Sequence, residues 1–220
     1  MNIIYIPKVI TSFLFLIICY TLNGQNCLQN INLFEEFING KVLMKNKSVI
    51  QAPLNYDCVN REMNYLNNGE RMILEGLNTI DTIFIAGRKF IPMQNIFLEV
   101  ISMTNSNQLL IDWRTKVINR GKKGAMGSVS HTGTVEKMDI KRAQGKGFDN
   151  TDNYIYETTS DNTYYIQIDN SLKKFNSEKT FLKLLSQEKT EAIKSYLKKQ
   201  NTNFKNVSDV IKLINLYFEL

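Results

Sequence analysis

The chain has 220 residues, 43% of them apolar, with 27 basic and 21 acidic side chains for a net charge of +6. That is enough apolar material for one domain of ordinary size with its own core, and no second domain is required. A basic balance suggests nucleic acid in a cytosolic protein, but the first segment of this chain puts that partner out of reach.

Met1 to Gly24 carries one lysine, Lys8, no acidic residue and an apolar run over Phe13–Cys19, followed by the polar Asn23-Gly24-Gln25. This layout is that of a signal peptide, so residues 1–24 read as a leader cleaved near Gly24. A transmembrane anchor is the alternative, although the apolar run is short for a bilayer. A lipoprotein fits less well, because Ile17-Ile18 precede Cys19 where a small residue belongs. The expectation is an exported protein, periplasmic, outer-membrane-associated or extracellular, with no transmembrane span after leader removal and no nucleic acid partner. Its cysteines are then Cys27 and Cys58, and an oxidising compartment favours a Cys27–Cys58 disulfide over two free thiols. Such a bridge would add about 3 kcal/mol by the chain-entropy model. Metal binding would need more ligands than these, so no metal and no cofactor is expected.

Beyond the leader, residues 25–118 carry nine basic and nine acidic side chains. A short apolar and acidic segment, Ile31–Phe37, leads to Gly40–Met44 and Ser48–Ile50, which Lys45-Asn46-Lys47 joins as a predicted β-hairpin. Leu54–Tyr56 and Glu62–Leu66 continue the strand pattern, and Asn67-Asn68-Gly69-Glu70 is the turn into a central stretch, Arg71–Ile118. There Thr82–Ala86 and Phe97–Ser102 are nearly continuously apolar, as in strands covered on both sides or at the centre of a sheet. Gly87 with Arg88 and Lys89 reads as a tight turn, and Pro92 belongs at a strand end or edge because it lacks a donor. Leu109–Ile118 alternates apolar and polar residues and reads as one strand with a wet face. The gaps are too short for helical crossovers, so an antiparallel meander is predicted.

Residues 119–150 contain six glycines, seven basic and three acidic residues and no apolar period, and read as a long flexible loop. Lys122, Lys123, Lys141, Arg142 and Lys146 are its candidate anion-binding residues; a plain surface excursion is the alternative. No Gly-Lys-Ser or Gly-Lys-Thr makes it a Walker loop. His131, the single histidine, has no second histidine or cysteine nearby and reads as solvent-exposed. Tyr154–Glu157 and Thr163–Ile168 predict a final hairpin around Ser160-Asp161-Asn162. After Asn170 the apolar period becomes helical, over Ser177–Leu185, Glu188–Lys199 and Val207–Phe218, and residues 171–220 hold ten lysines against five acidic residues. The predicted class is α+β: a β-rich domain over 25–170, its antiparallel sheet a meander with curled and sandwich-like forms both open, followed by a subdomain of three helices over 171–220 packed on it.

The segments GKVLMKNKSV, LNYDCVNREMNYL, DTIFIAGRKFIP, FLEV and GKKGAMG, in this order behind a leader, resemble a family of uncharacterised exported proteins common in Bacteroidetes. The resemblance implies export and a shared fold and carries no activity. The function expected from the sequence is a non-catalytic binding or structural module of the cell envelope whose partner is an anionic envelope component. A hydrolase of an envelope polymer, using carboxylates near the core strands such as Asp81, Glu99 or Asp112, is one alternative. An accessory subunit of another exported protein is the other. Gly127-Ser128-Val129-Ser130-His131 does not form the nucleophile elbow of a serine hydrolase.

Overall fold

The computed structural model describes residues 31–103, 107–123, 129–130, 154–168 and 171–220. Among them the class is α+β, with a ten-stranded antiparallel sheet, a three-stranded sheet and three helices near the C-terminus. The first eight strands are β1 (Ile38–Met44), β2 (Val49–Asp57), β3 (Glu62–Asn67), β4 (Glu70–Ile73), β5 (Ile80–Ile85), β6 (Arg88–Met93), β7 (Ile96–Ser102) and β8 (Gln108–Asp112). They are followed by β9 (Thr115–Lys123), β10 (Val129–Ser130), β11 (Tyr154–Ser160), β12 (Thr163–Ile168) and β13 (Ser171–Phe175). The helices are α1 (Glu178–Leu182), α2 (Gln187–Gln200) and α3 (Val207–Glu219). The large sheet runs β13-β12-β8-β7-β6-β5-β1-β2-β3-β4, and the small one β10-β9-β11.

Turn chemistry fixes the register of the hairpins. Asn68 and Gly69 (φ 51° and 85°) join β3 to β4, and Ala86 and Gly87 (φ 49° and 77°) join β5 to β6. Two residues of positive φ match the right-handed twist of paired strands, a conformation that suits Asn68, Gly69 and Gly87 and that Ala86 also adopts. Gly40 in β1 answers a different need, close approach: a Cβ there would lie 2.7 Å from the Phe84 carbonyl oxygen and 2.8 Å from Leu54 Cδ1.

The strands between β7 and β3 roll until those two touch, although four strands lie between them in the hydrogen-bonded order. Inside the roll Val42, Leu54, Tyr56, Met63, Ile83, Ile85, Phe90 and Phe97 form one buried core. Residues 31–33 close its end beside β2: Leu33 N–H donates to the Tyr56 carbonyl (2.8 Å) and Cys58 N–H to that of Ile31 (2.7 Å). A second core forms where Leu109, Ile111, Tyr164, Ile166 and Phe175 meet Phe181, Ile193, Leu197, Val210, Leu213 and Ile214 of the helices. Phe175, Phe181, Phe204 and Tyr217 meet there tilted or edge to face, with ring centroids 4.8–6.4 Å apart. Ser177 and Thr180 form a capping box that starts α1, and the Asn206 side chain caps α3 by accepting from Ser208 N–H.

Four details differ from the sequence reading. Leu109–Ile118 is two strands, because the main chain of Arg114 leaves the ladder: its N–H donates to Asn162 Oδ1 (2.9 Å) and its carbonyl accepts from Asp161 N–H (2.8 Å). β11 and β12 are not a hairpin with each other; β11 pairs with β9 and β12 with β8. The two pairs therefore form one long ribbon bent at Trp113-Arg114 and Asp161-Asn162, passing from one sheet into the other. Of the loop expected over 119–150, residues 119–123 lie in β9 against β11 and Val129–Ser130 form β10, and the rest lies outside the described residues. Ser171–Phe175 is an edge strand ahead of the helices; its lysines mask it from a pattern search and suit an edge.

Candidate functional site

Among the described residues three carboxylates are buried, Asp57, Glu99 and Asp112, and each is held by an arginine. Glu99 sits on the inner face of β7, opposite Phe90 on one side and Ile111 on the other. Its Oε1 accepts from Arg88 Nε (2.6 Å), and its Oε2 accepts from Arg88 Nη2 (2.5 Å) and from Trp113 Nε1 (2.6 Å). The guanidinium carbon of Arg88 lies 5.0 Å from the Trp113 ring centroid, 5.1 Å from that of Phe34 and 5.7 Å from that of Phe90. Cation and rings attract through the ring quadrupoles. Trp113 packs against both cores, so the Arg88–Glu99–Trp113 cluster is the polar seam between them.

Asp112 is the residue after Ile111 and, by strand alternation, occupies the other side of β8. Both its oxygens accept from Arg61, at 3.0 Å from Nε and 2.7 Å from Nη2. Burial raises the Asp112 carboxyl above the usual carboxylate range, and Arg61 partly offsets it. Asp57 ends β2 in an Asx turn: Oδ1 accepts from the N–H groups of Val59 and Asn60 (both 2.9 Å), and Oδ2 from Asn60 Nδ2 (3.0 Å) and Arg71 Nη2 (2.8 Å).

The arrangement separates rather than pools acidity. An acid–base pair needs two carboxylates facing one substrate with one free to exchange its proton. Here Glu99 and Asp112 lie on opposite sides of the sheet with every oxygen engaged by a cation or indole, and Asp81 is exposed on β5 beside the Thr82 hydroxyl (3.1 Å). Among the described residues no group of three or more His, Cys, Asp and Glu is placed to hold a metal ion, and no helix is long and apolar enough to cross a membrane.

Cys58 is buried at the end of β2, and burial with the nearby Asp57 pushes its thiol up to about 12. Its expected partner Cys27 lies outside the described residues. Lys122 and Lys123 are the last two residues of β9, in register with Ser130 and Val129 of β10. Lys141, Arg142 and Lys146 lie outside the described residues, as does His131. Sequence reasoning missed the arginine clamps. Arg61 and Asp112 are 51 positions apart and Arg88 and Glu99 are 11 apart, so only the folded register reveals them. It also missed the Tyr56 hydroxyl, which is fully buried without a hydrogen-bond partner and held well above the ordinary phenol range by burial and then by Asp112.

No family model, curated protein or solved structure matches the chain.

Proposed function

We propose that the chain is an exported, non-catalytic binding module of the cell envelope, in which the rolled sheet is scaffold and basic residues outside it meet an anionic envelope component. The observation that carries this reading is the internal neutralisation of the buried acids: among the described residues, the buried Asp57, Glu99 and Asp112 are each committed to an arginine. The chain as a whole keeps a net +6, and Lys183, Lys194, Lys198 and Lys199 are exposed on and around the first two helices. Lys122 and Lys123, with Lys141, Arg142 and Lys146 farther along, belong to a segment of seven basic and three acidic residues. Anionic partners are drawn to such a segment over a range set by the ionic strength.

The test is capture of envelope fractions on the immobilised chain at low and high salt. Capture should fall as salt rises. Replacing Lys122, Lys123, Lys141, Arg142 and Lys146 by glutamine should weaken it with little change in melting temperature, since a charge without fixed partners seldom shifts stability by more than about 0.5 kcal/mol. Full capture by the five-fold variant at high salt would reject the loop as the binding surface and favour an accessory subunit docked through the sheet or helices.

A further inference from the structure

β4 is the last strand of the large sheet, and it is exposed along its whole length, with Met72 and Ile73 at 41% and 44%. With Tyr65, Leu74 and Glu75 it borders a shallow open depression of about 610 Å3. Leu74 N–H donates to the Met63 carbonyl (2.8 Å), so Leu74 turns its main chain toward β3. Alternation then turns the N–H and C=O groups of Arg71 and Ile73 away from β3, toward the open edge. No described residue bonds those groups. A bare edge with large apolar side chains is a template for another strand.

The sequence of this edge selects its partner. In an antiparallel pair, outward-facing residues must oppose outward-facing residues, so two copies of β4 can meet only with odd positions facing odd positions. Centring the pair on Arg71 sets arginine against arginine. Centring it on Met72 sets Arg71 against Ile73 and Glu70 against Leu74. Centring it on Ile73 sets Arg71 against Glu75, Met72 against Leu74 and Ile73 against itself. Only this last register matches opposite charges to each other and apolar residues to apolar ones, and two-fold symmetry makes every match twice.

We propose that β4 is a dimerisation edge, at which two copies of the chain join antiparallel about Ile73 and continue the sheet from one copy into the next. Arg71 keeps its bond to Asp57 through Nη2 and presents the rest of its fork to the partner copy's Glu75.

Sedimentation velocity and amide hydrogen exchange on chain purified from its native source test this together. The chain should pass from monomer to dimer with rising concentration. In the dimer, the amides of Arg71, Ile73 and Glu75 should gain protection, while those of Met72 and Leu74, already turned to β3, should not change. Ile73→Lys sets two ammonium groups face to face at the two-fold axis and should weaken association by at least about ten-fold. Ile73 is exposed, so the variant should keep the wild-type melting temperature. Glu75→Lys, which sets lysine against Arg71, should weaken association by a smaller factor. A chain that stays monomeric throughout, a dimer that survives Ile73→Lys undiminished, or protection that appears elsewhere than at these amides would overturn the proposal.

Discussion

Glu99→Gln isolates the charge at the seam between the two cores. The substitution keeps the side chain's size but leaves one acceptor oxygen where Arg88 and Trp113 now address two. Arg88 would remain among three aromatic rings without its counter-ion. Removing one member of a buried ion pair costs about 3–5 kcal/mol. The Arg88 side chain is 28% exposed, so water takes up part of the lost stabilisation, and the three rings still attract the cation. We therefore expect a loss of about 2–4 kcal/mol, a large part of the 5–15 kcal/mol typical of a domain. Trp113 is the single tryptophan and touches Glu99 directly, so urea unfolding followed by its fluorescence reads both the site and the transition. The double variant Arg88→Met/Glu99→Leu removes both charges and should stay within about 1.5 kcal/mol of wild type, since apolar pairs often replace buried ion pairs without loss. A Glu99→Gln loss below about 1 kcal/mol, or a double variant less stable than the single one, would refute the reasoning.

Gly40→Ala should lower the urea midpoint by an amount equivalent to about 1–3 kcal/mol, because the new methyl meets the Phe84 carbonyl, which as main chain cannot swing aside. Burial pushes the Tyr164 phenol up to about 12, whereas in the unfolded chain it ionises near 10. The folded state thus holds this proton longer, its contribution is complete below about pH 10, and stability is lost as pH rises through about 12. Tyr164→Phe should flatten that limb of a melting-temperature profile, over a constant loss from the missing bond to the Phe204 carbonyl. Cys27 closely precedes Ile31, whose carbonyl accepts from Cys58 N–H, and we propose that the two cysteines are joined; thiol titration in denaturant without reductant should find no thiol from either, and two would reject the bridge. After reduction, native Cys58 should resist alkylation at neutral pH, because its thiol is raised to about 12.

Local chemistry was legible in the sequence where it acts locally. Asn68-Gly69 and Gly87 marked their turns, the apolar runs around Ile83 and Leu98 marked strands inside the large sheet, although Phe84 of β5 is exposed, and the change of period near Asn170 marked the helices. Alternation over Leu109–Ile118 was real yet misleading. Trp113 and Arg114 continue the pattern while the chain turns a corner, because the bonds that break the ladder come from Asp161 and Asn162, far along the chain. The pairing of β11 with β9 was hidden for the same reason. Of the site, the closeness of Glu99 and Asp112 to core strands was legible, but the burial of Asp112, on the face expected to be wet, was not, and neither were the arginines: one comes from the turn after β2 and the other from the start of β6.

The bent ribbon also sets the order in which the molecule can be completed. β1 to β7 pair with one another, the longest reach being from β1 to β5, so most of the roll can assemble while the remainder of the chain is still being made or delivered. β8 has β7 on one side and must wait for β12 on the other, and no helix can dock before then. Until Thr163 and the residues after it arrive, Leu109 and Ile111 present an unfinished apolar surface to water. A chain halted between β9 and β12 would therefore be a rolled sheet attached to a sticky flap, the kind of intermediate that aggregates or calls for a chaperone.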